Sequence, residues 1–365
     1  MSIPVRKAPA ACGRAAFHRL RVADVEQLCE DAVAVTFDVP DELAEVYAFA
    51  PGQSLTLRRV VDGVEERRNY SICAAVGEPL RVGVRLIPGG LFSTWLVHEV
   101  RAGDEIEVGV PTGRFTPDLG RNARHVFLSA GSGITPVLSV ASSLLRRTDS
   151  RVTLIYGNRR SDTVMFTDEL ADLKDAFGPR LELIHVLSRE PRESELFTGR
   201  LDGAKLDQLL STVVAADDVD HWWLCGPHGM VAEAQEVLAG HGVAGERIHQ
   251  ELFFVEGAEP PPQVRHEEPA VEGPACEVTV VLDGRTTALS LPRKVPVLDS
   301  VQRYRPDLPF ACKGGVCGTC RVKVCDGQVR MRRNYALTPA EIEAGYALAC
   351  QSLPVSDAVT VDFDS

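Results

Sequence analysis

Four cysteines near the C-terminus, Cys312, Cys317, Cys320 and Cys350, constrain this chain more than any other feature. Three lie on one short loop at C-x4-C-x2-C spacing, and the fourth follows far downstream. Each iron of a [2Fe–2S] cluster takes two thiolates, and this spacing supplies three from a tight loop and one from a distant segment. The loop reads Ala311-Cys312-Lys313-Gly314-Gly315-Val316-Cys317-Gly318-Thr319-Cys320. Its glycines admit backbone conformations closed to other residues and let amide N–H groups approach the sulfurs. A structural zinc site is the alternative, since C-x2-C is common to both. Zinc sites usually pair two short knuckles, however, and Cys350 has no near partner in sequence. The pattern points to a cluster, and so to a protein that handles single electrons.

The other six cysteines (Cys12, Cys29, Cys73, Cys225, Cys276 and Cys325) are scattered without paired spacing, which argues against a disulfide framework. With an oxygen-sensitive cluster, that fits a reducing compartment. Met1–Gly13 has no apolar signal-like region, and no apolar run is long enough to span a bilayer, so a cytoplasmic protein without membrane contact is expected. A net charge of −12 argues against nucleic acid or an anionic membrane as partner. The acidity is uneven: from Ala275 to Ser365 there are ten Asp and Glu against eleven Lys and Arg.

A length of 365 residues suggests two or three domains. Residues 257–274 are rich in Pro and Glu and read as a solvated linker. Residues 14–118 carry short β-rich runs (Ala32–Val39, Gln53–Arg59, Arg67–Ala74, Leu80–Leu86, Asp104–Val110) broken by Pro and Gly, which suggests an antiparallel β-barrel. Over 119–256 the rhythm becomes alternating strand and helix. His125–Ala130, Val152–Tyr156, Leu181–Val186 and His221–Cys225 suit buried parallel strands, with helices such as Pro136–Arg146 and His228–Ala239, giving a doubly wound α/β domain. Residues 275–365 open with a strand at Glu277–Leu282, a turn at Asp283-Gly284 and a short helix around Val297–Tyr304. Thr338-Pro339-Ala340-Glu341 is a capping box with Pro at the first helical position.

Arg68-Asn69-Tyr70-Ser71, Gly131-Ser132-Gly133-Ile134-Thr135-Pro136, Cys225-Gly226-Pro227 and the cysteine set, in this order, resemble ferredoxin–NADP reductase-type flavoproteins fused to a C-terminal plant-type ferredoxin. Phe310–Cys317, Asn334-Tyr335-Ala336-Leu337, Gly90–Trp95, His249–Phe253 and the ending Cys350-Gln351…Val361–Asp364 are similar, more narrowly, to the reductase subunits of phenylacetyl-CoA epoxidases. The resemblance implies a third domain of α+β β-grasp type, with FAD, NADPH and [2Fe–2S] as cofactors. It implies that Arg68 pairs with the FAD pyrophosphate, that Tyr70 packs along the flavin and that Ser71 bonds near flavin N5, with Asn69 also at the cofactor. Gly89, Gly90, Leu91 and Ser93 would approach the diphosphate, with Arg85 nearby. Gly131, Ser132, Gly133, Thr135 and Pro136 would receive the nicotinamide dinucleotide at a helix N-terminus, where backbone N–H groups favour anions. Cys225, followed by Gly226 and Pro227, would lie near the nicotinamide and shape the reactive complex without acting as a nucleophile. Glu251-Leu252-Phe253 ends the reductase portion, and this segment, Phe253 included, would shield the flavin face opposite Tyr70.

Tyr156-Gly157-Asn158-Arg159-Arg160 follows a strand, and two arginines suit the 2′-phosphate of NADPH, while Asp162 leaves NADH open. Electrons would run from NADPH to FAD to the cluster, at roughly −400 mV for this cluster type, and on to the diiron hydroxylase subunits of an oxygenase. An aromatic-ring dioxygenase reductase and a flavin/iron–sulfur redox sensor are the alternatives. No oxygen-activating site is expected within the chain. Cys325 reads as a strand residue without a ligand role. Arg330-Met331-Arg332-Arg333 is a basic cluster that could meet an acidic partner surface.

Overall fold

The computed structural model describes residues 17–61, 63–253, 275–305 and 307–365. The expected linker, 257–274, lies outside the described residues.

The first unit contains β1 (Phe17–Cys29), β2 (Ala32–Asp38), β3 (Ser54–Val61), β4 (Val64–Ser71), β5 (Arg81–Arg85), α1 (Leu91–His98) and β6 (Glu105–Gly109). Their antiparallel sheet runs β4-β3-β6-β1-β2-β5. An antiparallel bridge between Ile72 and Val82 joins the two outer strands, so the sheet closes on itself. Leu20, Val33, Leu55, Leu57, Val82, Val84 and Val108 fill the interior. The five strands expected from sequence all form, shifted by one to three residues, and β1 is an addition.

The second unit alternates β7 (Arg124–Ala130), α2 (Ile134–Arg147), β8 (Arg151–Asn158), α3 (Thr167–Phe177), β9 (Leu181–Leu187), α4 (Gly203–Thr212), β10 (His221–Gly226), α5 (His228–Gly240) and β11 (Ile248–Leu252). All five strands are parallel, in the order β11-β10-β7-β8-β9. Helices cover both faces, so β7 and β8 are buried almost without interruption rather than alternately. The order reverses between β7 and β10, and a crevice opens at the C-terminal ends of adjacent strands at such a switch point. Helix α2 starts at Ile134, two residues earlier than its sequence suggests. Pro136 falls in its first turn, where no N–H is needed.

The third unit is built from β12 (Ala275–Leu282), β13 (Arg285–Pro292), α6 (Val297–Val301), β14 (Arg321–Asp326), β15 (Val329–Met331), α7 (Pro339–Glu343), β16 (Tyr346–Leu348), β17 (Ser352–Pro354) and β18 (Ala358–Asp362). Its main sheet is mixed, in the order β13-β12-β18-β14-β16. The β12–β13 hairpin turns on Asp283 and Gly284, both at positive φ (53° and 68°), the conformation a two-residue hairpin of this twist requires. β12 alternates buried and open residues, so its sheet packs on one side against α6 and the cysteine loop. The capping box forms as expected. Thr338 Oγ1 accepts from Glu341 N at 3.3 Å, and Glu341 Oε2 accepts from Thr338 N at 3.0 Å.

Among the described residues, no helix is long and apolar enough to cross a membrane.

Candidate functional site

The four cysteines approach as two pairs. Cys312 contacts Cys317, and Cys320 contacts Cys350. Among the described residues, no three His, Cys, Asp or Glu side chains close in on one point as the ligands of a single ion would. Two thiol pairs fit two irons, one pair to each. Lys313, Gly315 and Gly318 take positive φ (49°, 80° and 69°), which folds the loop around its own sulfurs. The N–H groups of Gly314 and Cys317 each point at Cys312 Sγ from 3.4 Å. Contact with Cys317 and these backbone donors pull the Cys312 thiol below its ordinary range, toward the thiolate that binds iron.

Lys313 is buried, donating to Asp299 Oδ1 at 2.7 Å and to Gln302 Oε1 at 2.8 Å. Gln351 donates to the Lys313 carbonyl at 2.7 Å. The loop is thereby tied to α6 and to the segment carrying Cys350. Cys325 is exposed at the end of β14 and takes no part.

The cluster loop is not open on all sides. Val316 enters the core of the second unit, and Cys312 and Tyr335 pack against that core. The Tyr335 ring meets His228 at 5.3 Å. On the barrel side, Arg67 donates from Nη1 to the Leu308 carbonyl at 3.2 Å and lies 4.2 Å over Phe310. Asn69 Nδ2 donates to Thr319 Oγ1 at 2.9 Å.

Strand β4 therefore has two working sides. Arg67, Asn69 and Ser71 share one. Arg68 and Tyr70 share the other, where the Tyr70 ring lies 6.1 Å from Phe92 and is half-buried. Burial drives the Tyr70 phenol well above its usual value, so it stays neutral. Arg68 donates to the Arg67 carbonyl at 2.7 Å. Asn69, expected at a cofactor, instead spends its side-chain amide on Thr56 and the cluster loop.

Ser71 Oγ lies 3.3 Å from Glu251 Oε2. Glu251 is the register partner of Cys225 on the neighbouring parallel strand. The barrel strand thus reaches the C-terminal ends of β10 and β11, beside the switch point. Burial raises the Glu251 carboxyl to about 8. Burial and the nearby carboxylate also push the Cys225 thiol well above its usual value, so it is no nucleophile. Glu251 was legible in sequence only as part of an end segment with Phe253. Its pairing with Ser71 across 180 residues leaves no local signal.

Gly131, Ser132 and Gly133 form a tight turn between β7 and α2. A Cβ on Gly133 would stand 2.1 Å from the Cys225 carbonyl oxygen, so only glycine lets the turn close onto β10. Gly226 is similarly hemmed in by Met230 and Ala130, and Pro227 caps α5. Thr135 is buried and donates to the Ser132 carbonyl at 3.0 Å. Asn158 is buried at the end of β8. Its amide reaches no partner of hydrogen-bond geometry among the described residues, although the Tyr156 hydroxyl is near enough to feel it. A buried amide left in this state suits a polar ligand. Arg159 and Arg160 are exposed, and Arg160 is paired with Asp162 at 2.7 Å. Phe253 packs on the core that contains Cys225.

At the other turn, Gly89 (φ 75°) has open space around it, and Gly90 caps α1. Ser93 is buried and ties the turn to itself through Ile87 N and Gly90 O, at 3.1 Å each. Leu91 is exposed. Arg85 does not reach this turn. It donates to Asp31 at 3.1 Å and to the Thr163 carbonyl, and its guanidinium stands beside Gly131.

Three family models match in succession: the oxidoreductase FAD-binding domain over 19–116, the oxidoreductase NAD-binding domain over 127–236 and the 2Fe-2S iron–sulfur cluster binding domain over 280–355. The chain is 43% identical over 355 residues to a subunit of the 1,2-phenylacetyl-CoA epoxidase of Escherichia coli (strain K12), covering 96% of this chain and 98% of that one. The chain belongs to the flavin- and iron–sulfur-dependent oxygenase reductases. It is also 33% identical over 354 residues to the ferredoxin reductase component of 3-ketosteroid-9-alpha-monooxygenase from Rhodococcus rhodochrous, covering 94% of this chain and 96% of that one. In fold it is similar to phthalate dioxygenase reductase, with a TM-score of 0.59 at 23% identity over 95% of this chain and 98% of that one. As a reductase of this family it is an NAD(P)H-dependent oxidoreductase with FAD-, NAD- and [2Fe–2S]-binding domains.

Proposed function

We propose that this reductase takes electrons from NADPH and delivers them to the diiron oxygenase subunits of a phenylacetyl-CoA epoxidase. FAD, when bound, supplies the step from a two-electron donor to a one-electron acceptor. The chain's own residues supply geometry. The Gly131-Ser132-Gly133 turn, with Thr135 and Pro136 opening α2, receives the dinucleotide at a helix N-terminus, and Asn158 and Arg159 contact its polar groups. Cys225, held neutral, shapes the floor of the site beside Gly226 and Pro227. Ser71 and Glu251 hold a proton beside it. Arg68, Tyr70, Phe253 and the turn at Gly89, Gly90, Leu91 and Ser93 hold the flavin, and Arg85 spans the barrel and the dinucleotide turn. Cys312 and Cys317 hold one iron, and Cys320 and Cys350 the other.

One observation carries the reading. On β4, Ser71 contacts Glu251 at the nucleotide side, and Asn69, two residues away, contacts the cluster loop. A single strand thus spans the distance between the entry and exit of electrons. The phenylacetyl-CoA assignment leans on identity to the epoxidase relative, 43% against 33% for the ketosteroid reductase.

Anaerobic stopped-flow reduction with NADPH and with NADH tests the electron path. Flavin bleaching followed by a [2Fe–2S] EPR signal is expected, and bleaching with no cluster signal sinks the proposed route. Turnover of phenylacetyl-CoA with the epoxidase oxygenase subunits, compared with a ring-hydroxylating oxygenase given the same reductase, tests the acceptor. Equal support of both would remove the epoxidase assignment.

A further inference from the structure

Asn69 makes two side-chain contacts that run in one direction. Thr56 Oγ1 lies 2.6 Å from Asn69 Oδ1, Asn69 Nδ2 lies 2.9 Å from Thr319 Oγ1, and Thr319 Oγ1 lies 3.1 Å from Cys317 Sγ. A thiolate bound to iron has no proton to give, so the last contact exists only with the Thr319 hydroxyl as donor. A hydroxyl has one hydrogen. With that hydrogen on Cys317, Thr319 can only accept from Asn69, so the Asn69 NH2 faces Thr319 and its carbonyl faces the Thr56 hydroxyl. Each hydrogen bond in the line from Thr56 to Thr319 is then donated toward the sulfur. Thr56 and Asn69 belong to the flavin-binding unit, whereas Thr319 and Cys317 belong to the cluster loop, so this line of hydrogen bonds crosses between domains. Arg67 fixes the crossing next to it, buried between Phe17 and Phe310.

We propose that Asn69 of the flavin strand sets the reduction potential of the iron–sulfur centre by holding the Thr319 hydroxyl on Cys317, so that the cluster accepts an electron more readily docked than undocked. This rests on the reading that the four cysteines hold a [2Fe–2S] cluster. Reduction adds one electron, drawn from the reduced flavin, and breaks no bond, and the Thr319 proton stays on oxygen. The added negative charge spreads onto the sulfurs and strengthens a hydrogen bond donated to them, which favours the reduced form and raises the potential. When the domains part, Thr319 loses its donor, and its hydroxyl is released to turn toward water. The cluster then holds its electron less tightly, which favours passing it outward. Asn69 is a positioning residue acting through Thr319.

The test is a redox titration of the full-length holoprotein, with the cluster followed by EPR. Asn69→Ala should shift the one-electron equilibrium about tenfold toward the oxidised form, a fall of about 59 mV. Thr319→Ala should lower the potential at least as far, and the double variant should fall no further. Thr319→Ser, which keeps the hydroxyl, should restore it. Should Thr319→Ala fail to assemble a cluster, Asn69→Asp serves in its place: a side chain that can only accept draws the hydroxyl off the sulfur, and the potential should drop below that of Asn69→Ala. An unchanged potential in Asn69→Ala with an intact cluster signal overturns the proposal. So does an equal fall from Asn69→Ala in the Thr319→Ala background. A wild-type protein with no [2Fe–2S] signal would instead overturn the reading of the four cysteines.

Discussion

Ser71 and Glu251 meet at 3.3 Å across 180 residues of chain, and the contact joins the barrel to the last strand of the nucleotide domain. Burial raises the Glu251 carboxyl to about 8. A folded pKa above the unfolded value means that the native state binds the extra proton. The stability that this gives is full below pH ~4.5 and is lost as pH rises toward 8. Glu251→Gln should therefore flatten thermal stability over that window. The residue is half-buried overall, so the recovered stability at pH 8 is on the order of 2 kcal/mol. A melt series from pH 5 to 8.5 checks it, and parallel slopes in both proteins would count against a buried carboxyl.

At the opposite ends of the same strands the sign reverses. His125 on β7, His221 on β10 and His249 on β11 lie in a row, with ring centroids 5.3 Å apart from His125 to His221, which stack, and 5.3 Å from His221 to His249, which are tilted. Burial first, then the neighbouring rings, lowers both His125 and His249 to about 4. The unfolded chain takes up these protons near pH 6.5 and the native state does not, so stability is lost as pH falls from about 6.5 toward 4. His125→Phe keeps the aromatic volume and removes one of the two. Its acid limb should be shallower than wild type by roughly 2–3 kcal/mol across that window. Chemical denaturation at pH 4.5 and 7 measures the difference.

Gly133 makes the tightest close approach of any glycine in the NAD-binding domain. Gly133→Ala places a methyl group against the Cys225 carbonyl and must lift the turn from β10. We expect KM for the nucleotide to rise more than tenfold while the flavin and cluster absorbance stay intact. An unaltered KM would mean that the turn does not hold the dinucleotide.

Much of this architecture is legible in the sequence because its signals are local. The cysteine spacing, the Asp283-Gly284 turn and the capping box at Thr338 each sit within a few residues, and the apolar runs of β7 and β8 announce strands covered on both faces. Strand β1 is harder to see. Over Phe17–Cys29 only Leu20 and Val22 are fully buried, and its charged residues break any clear alternation. Glu251 and Asn69 are hidden for another reason. What each does depends on a partner far along the chain, Ser71 for one and Thr319 for the other. The arginine pair illustrates the same limit: adjacent in sequence, Arg159 and Arg160 differ because only Arg160 is engaged by Asp162.

That difference bears on the choice of nucleotide. The Arg160 charge is already matched by Asp162, and Glu190 holds Ser161 at the same bend through contacts of 2.8 and 2.9 Å. Arg159 is then the cation left to meet a 2′-phosphate. Arg159→Ala should lower kcat/KM for NADPH about tenfold relative to NADH, an effect of one charge-assisted contact. Arg160→Ala should change that ratio much less, and Asp162→Ala should raise it by freeing Arg160. Steady-state kinetics with both nucleotides decides the matter, and equal effects of the two arginine variants would contradict the pairing.

Arg67 offers the sharpest test of how the cluster domain is seated. It is 3% exposed, paired with Glu65 at 2.7 Å and packed between Phe17 and Phe310, while its Nη1 holds the Leu308 carbonyl. Removing Arg67 leaves Glu65 facing Arg58 alone, at 3.6 Å, so the cost stays below the roughly 3–5 kcal/mol of a buried charge left wholly unpaired. Arg67→Ala should therefore destabilise the protein and also loosen the cluster domain from the barrel. Arg67→Met replaces the apolar packing without the charge, so part of the stability should return while the grip on Leu308 does not. The two variants separate folding from seating. If seating governs transfer, stopped-flow reduction of the cluster should be slowed in both, with flavin bleaching by NADPH unchanged. Cluster reduction at the wild-type rate in Arg67→Met would show that the contact with Leu308 is not what holds the cluster to the flavin.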